Sequence, residues 1–164
     1  MKGVFAGSFD PPTRGHEDII HRAAALFDQV VVMISVNSQK TGMFSGLQRK
    51  EWLEQIVADL DNVSVAICST LTVDKARALG GDVLIRSMRN ASDYYPEASI
   101  AWLNAGLEQG METLFLLGKP EDSMISSTSV RELLKYGQSI EKLVPYCVFE
   151  SLQPELAAKK EANL

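Results

Sequence analysis

A chain of 164 residues with 46% hydrophobic residues and a formal net charge of −5 is large enough for one domain with one sizeable core, and too apolar to be disordered. The acidic balance argues against bulk nucleic-acid binding, which shows as a basic excess. No stretch approaches the roughly 20 apolar residues of a membrane span. Cys68 and Cys147 are far apart and lack CxxC spacing, which predicts free thiols in a reducing compartment rather than a zinc site. The N-terminal apolar run is too short for a signal peptide, so the expected location is cytoplasmic.

In chain order, "GVFAG" at 3–7 predicts a first strand. "GHEDIIHRAAALF" then brings Ile19, Ile20, Ala23, Ala24 and Phe27 to one helical face. "VVVMISV" at 30–36 predicts a second strand, and "GLQRKEWLEQIVADL" a helix burying Trp52, Leu53, Ile56, Val57 and Leu60. Strand "VSVAIC" at 63–68 leads to helix "TVDKARALG", which ends at a glycine suited to a helix C-terminus. "DVLIRS" at 82–87 precedes helix "EASIAWLNAGLEQG", and "TLFLLG" at 113–118 precedes "SSTSVRELLKYG". That last helix opens on hydroxyl residues that can cap it, with Glu132 near its first turn. "PELAAKKEANL" predicts a short amphipathic helix fraying into a polar tail from about residue 157. The apolar runs are continuous, not alternating, as in strands covered on both faces. Strand and helix alternate five times without a repeat or linker. The prediction is an α/β fold: one domain over 1–164 with a doubly wound, five-stranded parallel sheet.

Ligands of such sheets bind outside the carboxyl ends of the strands. The residues there are Gly7, Ser8, Phe9 and Asp10 after the first strand, and Asn37, Ser38, Gln39 and Lys40 after the second. Arg86, Ser87, Met88, Arg89 and Asn90 follow the fourth. Lys40, Arg86 and Arg89 thus meet hydroxyls and helix starts on one edge, which suits a phosphate-bearing ligand. In "GSFDPPTRGH", glycine permits close backbone approach, Pro11 and Pro12 stiffen the loop, and Thr13 is placed to cap the next helix. His16 then lies in a first turn whose free N–H groups favour an anion. "ISSTSVRE", residues 125–132, offers three consecutive hydroxyls at another helix start. Walker and GxGxxG patterns are missing, against a P-loop or dinucleotide-binding enzyme.

"TRGH" resembles the (H/T)xGH signature that nucleotidyltransferases carry after their first strand, and "ISST" resembles the string with which they hold a triphosphate. "LIRSMRNASDYYPE" and "SQKTGMF" are similar to strings of the phosphopantetheine adenylyltransferase family, and the likeness spans the whole chain. The resemblance implies a Rossmann-like nucleotidyltransferase fold. It implies transfer of the adenylyl group of ATP to 4′-phosphopantetheine with Mg2+, no nucleic-acid or membrane partner, and a homohexamer to which Trp102 and Leu103 are candidate contributors. It assigns His16 and Lys40 to catalysis, and Ser8, Lys40, Thr72 and Arg86 to the phosphopantetheine site. The ATP site it implies takes Ser8, Phe9, His16, Ser87, Met88, Arg89 and Glu97, followed by Asp122, Ser123, Met124, Ile125, Ser126, Ser127 and Thr128. The chain departs from the family pattern at Ala6, Ser87, Pro96 and Asp122, where proline, glycine, tyrosine and an aromatic residue are frequent. A nicotinate or nicotinamide mononucleotide adenylyltransferase is the alternative within the superfamily. A non-catalytic nucleotide sensor on the same fold is the alternative outside catalysis.

Overall fold

The computed structural model describes residues 1–36, 42–107 and 110–162. Strands β1 (Lys2–Gly7), β2 (Gln29–Ser35), β3 (Val63–Cys68), β4 (Val83–Met88) and β5 (Thr113–Leu117) form one sheet in the order β3-β2-β1-β4-β5. Every pair is parallel; Gly3 stands opposite Val30 on one side and Val83 on the other. The chain therefore builds outward from β1 in one direction, returns, and builds outward from β4 in the other. The β1/β4 junction is the switch point where a crevice opens at the carboxyl edge.

Helices α1 (Arg14–Leu26), α2 (Gly46–Ile56), α3 (Thr72–Ala78), α4 (Tyr94–Ala105), α5 (Ser127–Lys135) and α6 (Tyr146–Ala162) complete the fold. Successive strand residues point to opposite faces. Phe5, Val30, Val32, Ile34 and Ile85 pack on one face against Ile19, Ile20 and Ala23 of α1 and Leu53 and Ile56 of α2. Val4, Ala6, Val31, Met33 and Leu84 pack on the other against Val73 and Ala76 of α3. Coverage on both faces explains the continuous apolar runs. A third cluster, with Trp52, Val130, Leu134, Ile140, Val148 and Leu152, ties α5 and α6 to α2.

Two elements differ from the sequence expectation. Helix α4 starts at Tyr94, three residues before Glu97, from a short 3-10 turn at Ala91–Asp93. At the C-terminus, the expected fraying from about 157 is corrected: α6 is one helix from Tyr146 to Ala162 with Pro154 inside it. Val148, Leu152 and the partly buried Leu156 recur at helical spacing against the third cluster, and this burial carries the helix past the proline. Gly137, at φ 67, lets the end of α6 come close, since a Cβ there would lie 3.1 Å from the Lys160 nitrogen. Cys68 and Cys147 are free thiols. No helix among the described residues is long and apolar enough to cross a membrane.

Candidate active site

The turn after β1 is built from within. Phe9 takes φ 48, unusual for a bulky side chain, and its ring is fully buried. The ring stands edge-on to Phe5 at 5.3 Å and to His16 at 5.0 Å, so burial of this aromatic offsets the backbone strain. Side chains from two distant helices hold the turn's carbonyls. Arg49 of α2 donates to the Ser8 oxygen at 2.8 Å, Arg131 of α5 donates to the Asp10 oxygen, and Ser127 donates to the Pro11 oxygen at 2.8 Å. The buried Asp10 carboxylate accepts the amides of Met43 at 2.8 Å and Phe44 at 2.9 Å.

Thr13 caps α1, and its partner in the capping box is His16. The Thr13 backbone N–H donates to His16 Nδ1 at 3.0 Å. That bond occupies the Nδ1 lone pair, so the ring proton of the neutral imidazole sits on Nε2. Burial, with Arg89 and then Arg86 nearby, pushes the His16 pKa down to about 4. His16 is thus an uncharged donor in the first turn of a helix, on the wall of an open cleft.

The two arginines of the cleft are already engaged. Arg86, from β4, meets Glu97 of α4 through Nε at 2.7 Å and Nη2 at 2.8 Å, and also donates to the Ala6 carbonyl. Arg89 grips Asp93 through Nε at 3.0 Å and Nη2 at 2.9 Å and reaches the Ile125 carbonyl. These bonds from Arg89 hold the Asp93 carboxyl below the usual carboxylate range. Across the cleft, Ser126 caps α5 in a second capping box with Ser129. The N-termini of α1 and α5 therefore converge on one cavity, and their unsatisfied N–H groups and dipoles make it receptive to an anion.

The cleft brings together Ser8, Phe9, His16, Arg86, Ser87 and Arg89. Glu97, Asp122, Ile125, Ser126, Ser127 and Thr128 complete it. Four expected residues stand elsewhere. Thr72 begins α3, and Met88 ends β4 with its carbonyl bonded to the Gly118 amide. Ser123 lies in the approach to α5, and Met124 is 86% exposed. Lys40 lies outside the described residues. Sequence reasoning missed Asp93, Arg49 and Arg131. The close spacing of Arg89 and Asp93 carries a signal, since opposite charges four residues apart can meet across a short turn; the two turn-holding arginines carry none, because they reach across the fold.

A family model described as Cytidylyltransferase-like matches residues 4–133. The chain is 44% identical over 154 residues to a phosphopantetheine adenylyltransferase of Latilactobacillus sakei, covering 93% of each chain. It is 46% identical over 154 residues to one of Streptococcus pneumoniae, covering 93% of this chain and 95% of the relative. The solved structure of Plasmodium falciparum nicotinic acid mononucleotide adenylyltransferase, complexed with NaAD, superposes with a TM-score of 0.64 at 15% identity. That match covers 92% of this chain and 93% of that one, a likeness of fold.

Proposed function

Since the chain belongs to the phosphopantetheine adenylyltransferase family, we propose that it transfers the adenylyl group of ATP to 4′-phosphopantetheine, giving dephospho-coenzyme A and pyrophosphate. The observation that carries this reading is the single cleft onto which His16 and two helix N-termini converge. A phosphate oxygen of phosphopantetheine attacks the α-phosphorus of ATP. The bond from that phosphorus to the bridging oxygen breaks, and pyrophosphate leaves with the electron pair. The attacking oxygen is ionised near neutral pH, so no general base is needed. The protein positions the reactants and stabilises charge.

In this reading the Nε2–H of His16 donates to an α-phosphate oxygen as charge builds there. Lys40 acts with it. Ser126, Ser127 and Thr128, at the start of α5, hold the β- and γ-phosphates together with Arg89. Asp122 to Ile125, with Ser87, Met88 and Glu97, border the rest of the nucleotide, and the backbone of Ser8 and Phe9 meets both substrates. Arg86 and Thr72 receive phosphopantetheine, the arginine at its phosphate. Both arginines are turned toward carboxylates, so each substrate phosphate exchanges places with Glu97 or Asp93. Magnesium fits as part of the substrate MgATP. Among the described residues no group of three His, Cys, Asp or Glu stands ready to hold a metal ion, and phosphate oxygens and water suit Mg2+ as ligands. The ion supplies charge neutralisation on the polyphosphate. The enzyme works in the cytoplasm as one domain and assembles as a homohexamer. Trp102 and Leu103 of α4, 65% and 66% exposed, support such an assembly.

The test is pyrophosphate release from ATP and Mg2+ with 4′-phosphopantetheine or nicotinate mononucleotide in separate reactions. Release with phosphopantetheine alone is expected. Release with the mononucleotide alone overturns the substrate, and ATP binding with no release in either reaction makes the protein a sensor. His16→Ala is expected to lower kcat by about 10²–10³, as for loss of one aimed transition-state donor, without unfolding the protein.

A further inference from the structure

Arg49 is 5% exposed, yet among the described residues it meets no carboxylate. Burying a charge without a counter-ion is costly, and what this charge touches is backbone. Its Nε donates to the Ser45 carbonyl at 3.3 Å, one turn back on α2, and its Nη1 donates to the Ser8 carbonyl at 2.8 Å. The planar fork ties the end of β1 to the start of α2 at a fixed distance.

The consequence lies in the peptide plane. The Ser8–Phe9 bond is trans, since the Asp10–Pro11 bond is the cis peptide of the described chain. In a trans peptide the C=O and the following N–H point in opposite directions. Holding the Ser8 oxygen from the α2 side therefore aims the Phe9 N–H away from α2. Phe9 borders the cleft as a fully buried residue, and among the described residues its N–H has no backbone acceptor, which leaves that donor for a ligand. Arg131 holds the next carbonyl but one, that of Asp10, from α5, and its Nη2 also reaches Thr128 Oγ1 at 3.1 Å. Two arginines thus keep the strained φ of Phe9 from relaxing.

We infer that Arg49 is a positioning residue for adenylyl transfer: it acts through the Ser8 carbonyl to aim the Phe9 amide at a phosphate oxygen of the nucleotide. This rests on the reaction proposed above. A donor that has turned away no longer supports the transition state, and misplacement of about 1 Å costs on the order of 10²-fold in rate.

The experiment compares wild type, Arg49→Lys and Arg49→Met by pyrophosphate release, by thermal melting, and by the 15N signal of the Phe9 amide with and without MgATP. Arg49→Met is expected to lower kcat about 10²-fold well below its melting temperature, with KM for phosphopantetheine unchanged. Its Phe9 signal shifts in the ligand-free protein and loses its response to MgATP. Arg49→Lys, which keeps one donor on the Ser8 oxygen, recovers part of kcat and of the response. A folded Arg49→Met protein with wild-type kcat and an unmoved Phe9 signal overturns the inference, as does a melting change alone without rescue by lysine. If the methionine variant does not fold, the lysine variant and Arg131→Lys still decide, because both are expected to move the Phe9 signal. Wild type that releases no pyrophosphate with phosphopantetheine refutes the reaction, while the amide signal continues to test Arg49.

Discussion

The state of His16 is the sharpest quantity in the cleft. Its pKa falls from 6.5 to about 4 because the half-buried ring is largely desolvated and Arg89 and Arg86 stand near it. At about 1.36 kcal/mol per pH unit, this disfavours the imidazolium by roughly 3 kcal/mol. At pH 6 about 1% of the ring is then protonated, against about three-quarters for an unperturbed histidine. The perturbation is a pH titration from 8 to 4 of the ligand-free protein, read by imidazole 15N and 13C signals, with His16→Asn to assign His16 apart from His21. The expected result is an Nε2-protonated neutral ring that titrates near pH 4. Linkage supplies a second readout. Between pH 6.5 and 4 the unfolded chain binds a proton at residue 16 that the folded chain refuses. This contribution to stability is fully present above 6.5 and falls away, by up to roughly 3 kcal/mol, as pH drops toward 4. Denaturant midpoints across that window should decline in wild type and decline less in His16→Asn. A ring that titrates near 6.5, or that carries its proton on Nδ1, refutes the uncharged-donor account and the role given to the Thr13 amide.

Thr13→Ala removes the side-chain cap of α1 and should destabilise the protein by about 1 kcal/mol. The His16 tautomer should persist, because the bond to Nδ1 comes from the backbone; chemical denaturation and the 15N signals check both. Glu97→Gln leaves Arg86 without a charged acceptor for its fork and should cost about 1–3 kcal/mol, seen as a lowered melting temperature. Phe9→Ala keeps the Cβ that strains the turn and deletes the buried ring, so a loss of about 3–5 kcal/mol is expected from urea unfolding.

The sheet was legible because its central strands are covered on both faces, and such strands show as short unbroken apolar runs flanked by helical periods. "VVVMISV" and "VSVAIC" needed no tertiary information. The capped turn at Ser8–His16 was legible for a similar reason: glycine, proline and threonine act locally there, and Thr13 caps α1 as its position predicts. The arginine pairs divide. Arg89 and Asp93 are four residues apart, but Arg86 and Glu97 are joined only by the path of the chain from β4 into α4. Arg49 was hidden because a charged residue on an amphipathic helix is ordinarily solvated, and nothing local says that its neighbour is the Ser8 carbonyl. For helix α6 the sequence suggested a short helix opening at Pro154, whereas the helix begins at Tyr146 and passes through the proline because Leu152 and Leu156 pack on the third cluster. Local chemistry was thus readable, and contacts closed by topology were not.

The bonds from Ser127 to Pro11 and from Arg131 to Asp10 span 116 and 121 residues. A ribosome adding roughly 5–20 residues per second needs about 6–25 s to go from one end of such a span to the other. During that interval β1, β2 and β3 and the helices between them can already pair and pack, but the β1 turn has no α5 to lean on. Phe9 lacks the second anchor that Arg131 gives its turn, and the N-terminus of α5 is not yet made. The nascent chain is a sheet before its cleft is complete. The cleft on which the proposed reaction rests gains its last wall only when the final strand and the helix after it have left the ribosome.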